Sequence, residues 1–307
     1  MTLDDVLARA HQRLVMQPDM SAAGETYSDD CLSLLAPALC SSRALLDQPY
    51  GDHPAQRLDV YLPSQGDGPW PVLIFLHGGG WTNGTKEWNA FMAPALSQAG
   101  IALVSPSYRL LPEVNYPTPV DDCAAAVCWV AQNANRHNLS ASHLVIGGHS
   151  AGGQIAALLC TSPTWLEKAG IADESIRGCY AVSATFNRRN VTPTLGEAFV
   201  QPGPADAIQP DSPLALADQA HTRFRLVWGT AENPRVDVTG RLMQRRLEHA
   251  GCEVEVDIIQ DGNHFSMHLD HQNPDSHLSA SLRRWLTSIA FFPQSGTHSA
   301  TPPRSTS

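Results

Sequence analysis

Gly148-His-Ser-Ala-Gly152 is the stretch on which the reading of this chain turns. Before it lies a short apolar run, His143-Leu-Val-Ile146, and after it Gln154 to Cys160 reads as helix, so the pentapeptide is a strand-to-helix turn. A turn that tight holds its central residue in a strained backbone conformation, and glycines two residues to either side let strand and helix pass closely. The serine hydroxyl then stands at the carboxyl end of a sheet, facing the positive end of a helix. Ser150 is the candidate nucleophile.

The same alternation extends in both directions. Arg57–Leu62 alternates polar and apolar as a half-buried strand, and Pro71–Leu76 is a continuous apolar run suited to a strand covered on both faces. Trp88, Phe91, Met92, Ala95, Leu96 and Ala99 recur at spacings of three and four before Gly100, which predicts a helix. Ile101–Val104 is a short strand, and Val120–Ala134 a helix. Cys179–Val182, Phe224–Trp228 and Glu253–Ile259 read as strands, with a helix from about Asp237 to Ala250 ending at Gly251. Leu278, Leu282, Trp285, Leu286 and Ile289 mark a last helix. Strands alternating with helices predict a mostly parallel central sheet with helices on both faces.

Three segments stand outside this rhythm. Residues 1–50 read as a helical and loop-like N-terminal segment without firm boundaries. Residues 186–220 hold five prolines and little periodicity between two core strands, which predicts a lid-like insertion over the sheet. Residues 295–307 are rich in Ser, Thr and Pro, a composition that predicts a disordered tail. The domain proper is expected over 51–294.

Composition bounds the function. Of 307 residues, 43% are hydrophobic and 16% charged, which suits a globular domain with a substantial core. The formal net charge of −10 argues against nucleic acid and anionic membrane as partners, because both reward Lys and Arg. The opening MTLDDVLARAHQRLV places acids where a signal peptide wants positive charge, and no apolar run approaches the roughly 18 residues of a membrane span. The seven cysteines are scattered, without CxxC or zinc-finger spacing, and are expected to be reduced and mostly buried. A cytoplasmic location follows as the expectation, and the sequons at Asn83, Asn138 and Asn190 are then read as chance matches. No motif addresses oligomeric state.

A serine nucleophile needs donors for the oxyanion, a base, and an acid to orient the base. His77-Gly-Gly-Gly-Trp81 directly follows the strand Pro71–Leu76, and consecutive glycines let backbone N–H groups face a substrate. No Gly-Lys-Ser/Thr follows either glycine cluster, so a phosphate cradle is disfavoured. His77 reads as a structural residue bonding loop backbone. With acid and then histidine following the serine in chain order, Glu232 is the first acid after Phe224–Trp228, with Asp237 as runner-up. His264 is the first histidine after the last strand, while His268 and His271 are expected to be solvated. Trp81, Trp88, Phe91 and residues 186–220 are candidates to shape a pocket, although the Trp88/Phe91 stripe also fits plain helix core.

HGGGW, the run Ser107-Tyr-Arg-Leu-Leu-Pro-Glu113 followed by Tyr116-Pro117, and GHSAGG resemble the bacterial hormone-sensitive-lipase-like esterases. Tyr50-Gly51 before Leu58-Asp-Val-Tyr61, Asp211-Ser-Pro-Leu214, the Gly229-Thr-Ala-Glu-Asn-Pro234 turn and Asn263-His-Phe265 resemble the kynurenine formamidase (arylformamidase) branch. The resemblance covers roughly residues 50–290 and implies the α/β-hydrolase fold, with Gly79, Gly80 and Ala151 as oxyanion donors. The lipase-like esterases usually carry aspartate before the serine and as the acid, where this chain has His149 and Glu232. Formamidases often carry a bulky residue at the place of Gly80. The expected activity is hydrolysis of a small-molecule ester or amide by Ser150, His264 and Glu232, without cofactor or metal. Acyl transfer to another acceptor, or a binding protein that has lost catalysis, are the alternatives.

Overall fold

The apolar runs become the interior of an eight-stranded sheet: β1 (Arg43–Pro49), β2 (Arg57–Leu62), β3 (Trp70–Leu76), β4 (Ala102–Pro106), β5 (Leu139–His149), β6 (Ile176–Val182), β7 (Arg223–Gly229) and β8 (Val254–Ile259). The structure, a computed structural model, describes residues 2–188 and 207–291. The strand order is β1-β2-β4-β3-β5-β6-β7-β8. Strands β3 to β8 pair in parallel, and β1 and β2 are antiparallel additions at one edge.

The helices are α1 (Leu3–Val15), α2 (Ala22–Ser33), α3 (Leu35–Ser41), α4 (Ala93–Gln98), α5 (Thr118–Asn133), α6 (Ala151–Thr161), α7 (Pro163–Lys168), α8 (Pro213–Leu216), α9 (Pro234–His249), α10 (Ser266–Leu269) and α11 (His277–Phe291). They cover both faces. Along β3, Val72, Ile74 and Leu76 point to the core shared with α5, α6 and α9, while Leu73 and Phe75 point to the core shared with α1, α2, α4 and α11. This period of two, with both faces buried, is why β3 reads as one unbroken apolar run. The layered parallel sheet is the α/β-hydrolase fold. Among the described residues no helix is long and apolar enough to cross a membrane.

Two local expectations are corrected. The helix read through Trp88–Ala99 is a 3-10 segment, Lys86–Met92, followed by α4. Pro94 has no N–H to donate back to the preceding turn, so a single α-helix cannot run through it. Residues 1–50 hold a strand as well as helices. β1 is only half-buried, and its pairing with β2 shifts register between Leu45 and Gln48, where Asp47 takes φ 59°. That irregularity erases the alternation by which a strand is recognised.

A buried ionic cluster fastens α1 to the sheet. Lys86 Nζ donates to Asp59 and to Glu87 at 2.8 and 2.6 Å, and Arg13 donates to Glu87 at 2.8 Å and to Asp47 at 2.8 Å. Lys86, Asp59 and Glu87 are almost wholly buried.

Register sets where the site falls. β3 lies beside β5 with Leu76 opposite Gly148, so the glycine loop after β3 and the serine turn after β5 emerge side by side. β7 lies beside β8 with Gly229 opposite Ile259, so the loops carrying Glu232 and His264 also emerge together. All four loops leave the carboxyl ends of parallel strands, where open α/β sheets bind their ligands.

Candidate active site

Ser150 takes φ 54° and ψ −117°, a strained conformation for a residue with a side chain, and α6 begins at the next residue. The approach of β3 and α6 allows no alternative. A Cβ on Gly152 would come within 2.1 Å of the Leu76 carbonyl oxygen. The turn is anchored by the Ser150 N–H donating to the Val182 carbonyl at 2.8 Å.

Ser150 Oγ lies 2.9 Å from His264 Nε2, and His264 Nδ1 lies 2.9 Å from Glu232 Oε2. In this chain of bonds the hydroxyl donates to Nε2 and Nδ1–H donates to the carboxylate. The Glu232 side chain is 2% exposed and that of His264 36%, so the acid is shielded while the imidazole is reachable from the cleft. The acid and base loops are stitched together by Thr230 N–H donating to Ile259 O at 2.9 Å and Ala231 N–H to Gly262 O at 3.0 Å. Asp237 is engaged elsewhere, accepting from Trp228 Nε1 and Arg241 Nε on the first turn of α9.

Gly79 and Gly80 line the same cleft as Ser150, with φ 107° and 63°. A Cβ on Gly79 would sit 2.0 Å from the Asn83 carbonyl oxygen, because the loop folds back with Asn83 N–H donating to Gly79 O at 2.9 Å. Ala151 opens α6, where backbone N–H groups lack intrahelical partners. His77 is buried, donates Nδ1–H to Gly78 O at 2.7 Å and stacks on Tyr108 at 4.2 Å, in keeping with a structural part. Burial pushes its pKa down to about 4.

His268 and His271 are not solvated; both are buried. His268 Nδ1 pairs with the Tyr27 hydroxyl at 2.7 Å, and His271 Nδ1 donates to His268 O at 3.0 Å while its Nε2 accepts from Tyr180 at 2.8 Å. The two tyrosine hydroxyls come from remote parts of the chain, and with the His268 carbonyl they offset the cost of desolvating both rings. His149 is buried too. Its Nε2–H donates to the His264 carbonyl at 2.8 Å, and its ring stacks on His268 with centroids 5.0 Å apart.

The catalytic candidates open onto a cleft of about 870 Å³. The lining of the cleft includes Pro18, Met20, Ser21, Gly24 and Tyr27, from α2 and the segment before it. Tyr27 stacks on Phe265 at 4.8 Å and meets Trp88 edge-on at 5.3 Å, forming an aromatic side to the cleft. Sequence reasoning missed Tyr27. Its only trace is the spacing of Tyr27, Cys31 and Leu35 at intervals of four, which marks a buried face but not which face of the protein it covers. Trp88 serves both expected parts, buried in the core and lining the cleft, while Phe91 and Trp81 are core residues. Residues 189–206, most of the expected lid, lie outside the described residues.

The fold and the chemistry at its strand ends define an α/β-hydrolase, and the relatives give the type. The family profile described as BD-FAE matches residues 58–188. A kynurenine formamidase of Danio rerio is 26% identical over 74% of this chain and 76% of its own length. The isoprenylcysteine alpha-carbonyl methylesterase ICME of Arabidopsis thaliana is 35% identical over 35% of this chain and 25% of its own length. The hyperthermophilic esterase of the archaeon Pyrobaculum calidifontis shares the fold, with a TM-score of 0.66 over 94% of this chain and 98% of its own, at 21% identity. The protein is a hydrolase resembling esterases and formamidases.

Proposed function

We propose that this protein cleaves small-acyl carboxylic esters or aryl formamides through an acyl-enzyme on Ser150. The observation that carries the reading is the continuous hydrogen-bonded chain from Ser150 and His264, which line the cleft, to the shielded Glu232. His264 Nε2 takes the hydroxyl proton as Oγ attacks the substrate carbonyl carbon. Glu232 holds the imidazole by its Nδ1–H and stabilises the imidazolium. The negative oxygen of the tetrahedral intermediate is met by the N–H groups of Gly79, Gly80 and Ala151. Collapse of the intermediate expels the alcohol or amine, which receives the proton from His264. Water, deprotonated by the same imidazole, then releases the carboxylic acid and restores Ser150.

The substrate class follows from the walls. Tyr27, Trp88 and Phe265 suit a flat or apolar group beside the reacting carbonyl, and Gly79 and Gly80 line the same cleft. Similarity to a kynurenine formamidase supports placing the formamide among the substrates. The test is kcat/KM for N-formylkynurenine against p-nitrophenyl acetate and p-nitrophenyl laurate, with Ser150→Ala as control. Turnover of the formamide or the acetate with loss in Ser150→Ala is expected. Preference for laurate overturns the small-acyl reading, and turnover or fluorophosphonate labelling that survives Ser150→Ala overturns the nucleophile.

A further inference from the structure

His149 is the residue next to the nucleophile, yet its side chain is spent on the base loop. Its Nε2–H donates to the backbone carbonyl of His264 at 2.8 Å, while the two rings lie 4.9 Å apart. The carbonyl it grips belongs to the residue whose Nε2 must reach Ser150 Oγ. The nucleophile turn and the base loop are therefore joined twice, once through the reacting atoms and once through a link one residue away. Neighbours hold the imidazole of His149 in place. It stacks on His268 at 5.0 Å and 13°, and His268 is itself fixed by Tyr27 at 2.7 Å.

We infer that His149 is a positioning residue, whose Nε2–H sets the backbone of His264 and with it the reach of the base to Ser150. The inference rests on the reading of Ser150 and His264 as nucleophile and base. The link itself needs a donor, because a carbonyl oxygen only accepts, so an ionised aspartate, usual at this place in the lipase-like esterases, could not make it. It also requires a donor whose charge stays constant while His264 gains and loses a proton. His149 Nδ1 is buried without a hydrogen-bond partner among the described residues, so a second proton there would be an unpaired charge next to the imidazolium. The ionisable groups packed around it are His264, His268, His271 and Tyr27. Burial first, and the charge of His264 second, hold the His149 pKa well below the usual imidazole range. It therefore stays a neutral donor through the cycle.

The test contrasts His149→Gln with His149→Met. The two side chains have similar length, but only Gln carries an N–H at the distance of Nε2. Both are purified, checked for cooperative thermal unfolding, and assayed for kcat and KM on p-nitrophenyl acetate from pH 5 to 9. Misplacing a catalytic group by about 1 Å costs on the order of 10²-fold. His149→Met is expected to lose about that factor in kcat, with KM little changed and an altered pH profile, and His149→Gln to recover most of the loss with the wild-type profile. Should His149→Met fail to fold, His149→Asn replaces it, since its amide is polar but too short to reach the carbonyl. Equal kcat in the donor and non-donor variants, or a loss confined to KM, overturns the inference. If fluorophosphonate labels Ser150 in the wild type and the variants are nevertheless equal, only this inference falls. If turnover survives Ser150→Ala, the reading beneath it falls, and the inference with it.

Discussion

The indole Nε1–H of Trp228 donates to Asp237 Oδ1 at 3.0 Å, and Arg241 holds the same carboxylate from one turn along α9. Asp237 is thereby kept on the first turn of its helix, where negative charge is favoured, while Glu232 faces His264. Glu232→Gln is expected to lower kcat by several orders of magnitude, since it removes the charge that stabilises the imidazolium. Asp237→Asn is expected to leave kcat within a few-fold of wild type. Steady-state kinetics of the two variants decides, and the reverse order would make Asp237 the acid.

Acid should weaken the fold before it strips the carboxylates. His77 and His271 are buried neutral, with pKa values pushed down to about 4, and burial also holds His149 and His268 well below the usual range. The unfolded imidazole takes its proton near about 6.5. Between that value and about 4 the unfolded chain binds more protons, so stability falls as pH drops through this window and is level above it. His271→Gln should flatten the acid limb by up to about 1.4 kcal/mol per pH unit in urea unfolding between pH 4.5 and 8. An unchanged slope would count against the assignment.

The ion cluster beneath α1 makes a different prediction. Lys86→Met should destabilise the protein by about 3–5 kcal/mol, because it leaves Asp59 and Glu87 buried with too little positive charge. Replacing Lys86, Asp59 and Glu87 together by apolar residues should cost far less than the single change. Chemical denaturation of the two variants tests this, and a stable Lys86→Met protein would show that the cluster tolerates an unpaired acid.

Tyr27 is expected to matter for aromatic substrates. Tyr27→Ala removes the stack on Phe265 and should raise KM for aryl substrates more than for alkyl acetates of similar size, while costing about 3 kcal/mol of stability. Tyr27→Phe keeps the stack and loses the hydroxyl's bonds to His268 and Cys31, so its KM should stay near wild type. Equal KM changes on aryl and alkyl esters in Tyr27→Ala would remove Tyr27 from the substrate wall.

How much of this was readable in the sequence depended on how local its cause is. β3 and β4 announce themselves because burial on both faces demands nearly unbroken apolar runs, β5 to β7 carry shorter buried runs and the edge strand β8 alternates, and the loops at their carboxyl ends follow from strand order. Hence Ser150, Glu232 and His264 are legible from the sequence, and register brings them within hydrogen-bond distance. β1 was hidden by its bulge at Asp47 and its half-exposure. His268 and His271 read as solvated in the sequence because the hydroxyls that receive them, on Tyr27 and Tyr180, come from elsewhere in the chain. The wall formed by residues 18–27 was invisible for the same reason, since nothing in that segment says where it will dock.

Tyr27 and His268 stand 241 positions apart along the chain, yet they meet beside the reacting groups. Closing so long a loop is entropically expensive and kinetically late compared with forming the local strand–helix pairs between them. During synthesis the segment that walls the cleft emerges before the sheet, and the loop bearing His264 emerges after it. On the proposed assignment, hydrolytic competence waits for the loop after the last strand, because a nascent chain that has built its central strands but not yet that loop has Ser150 without the imidazole proposed to activate it.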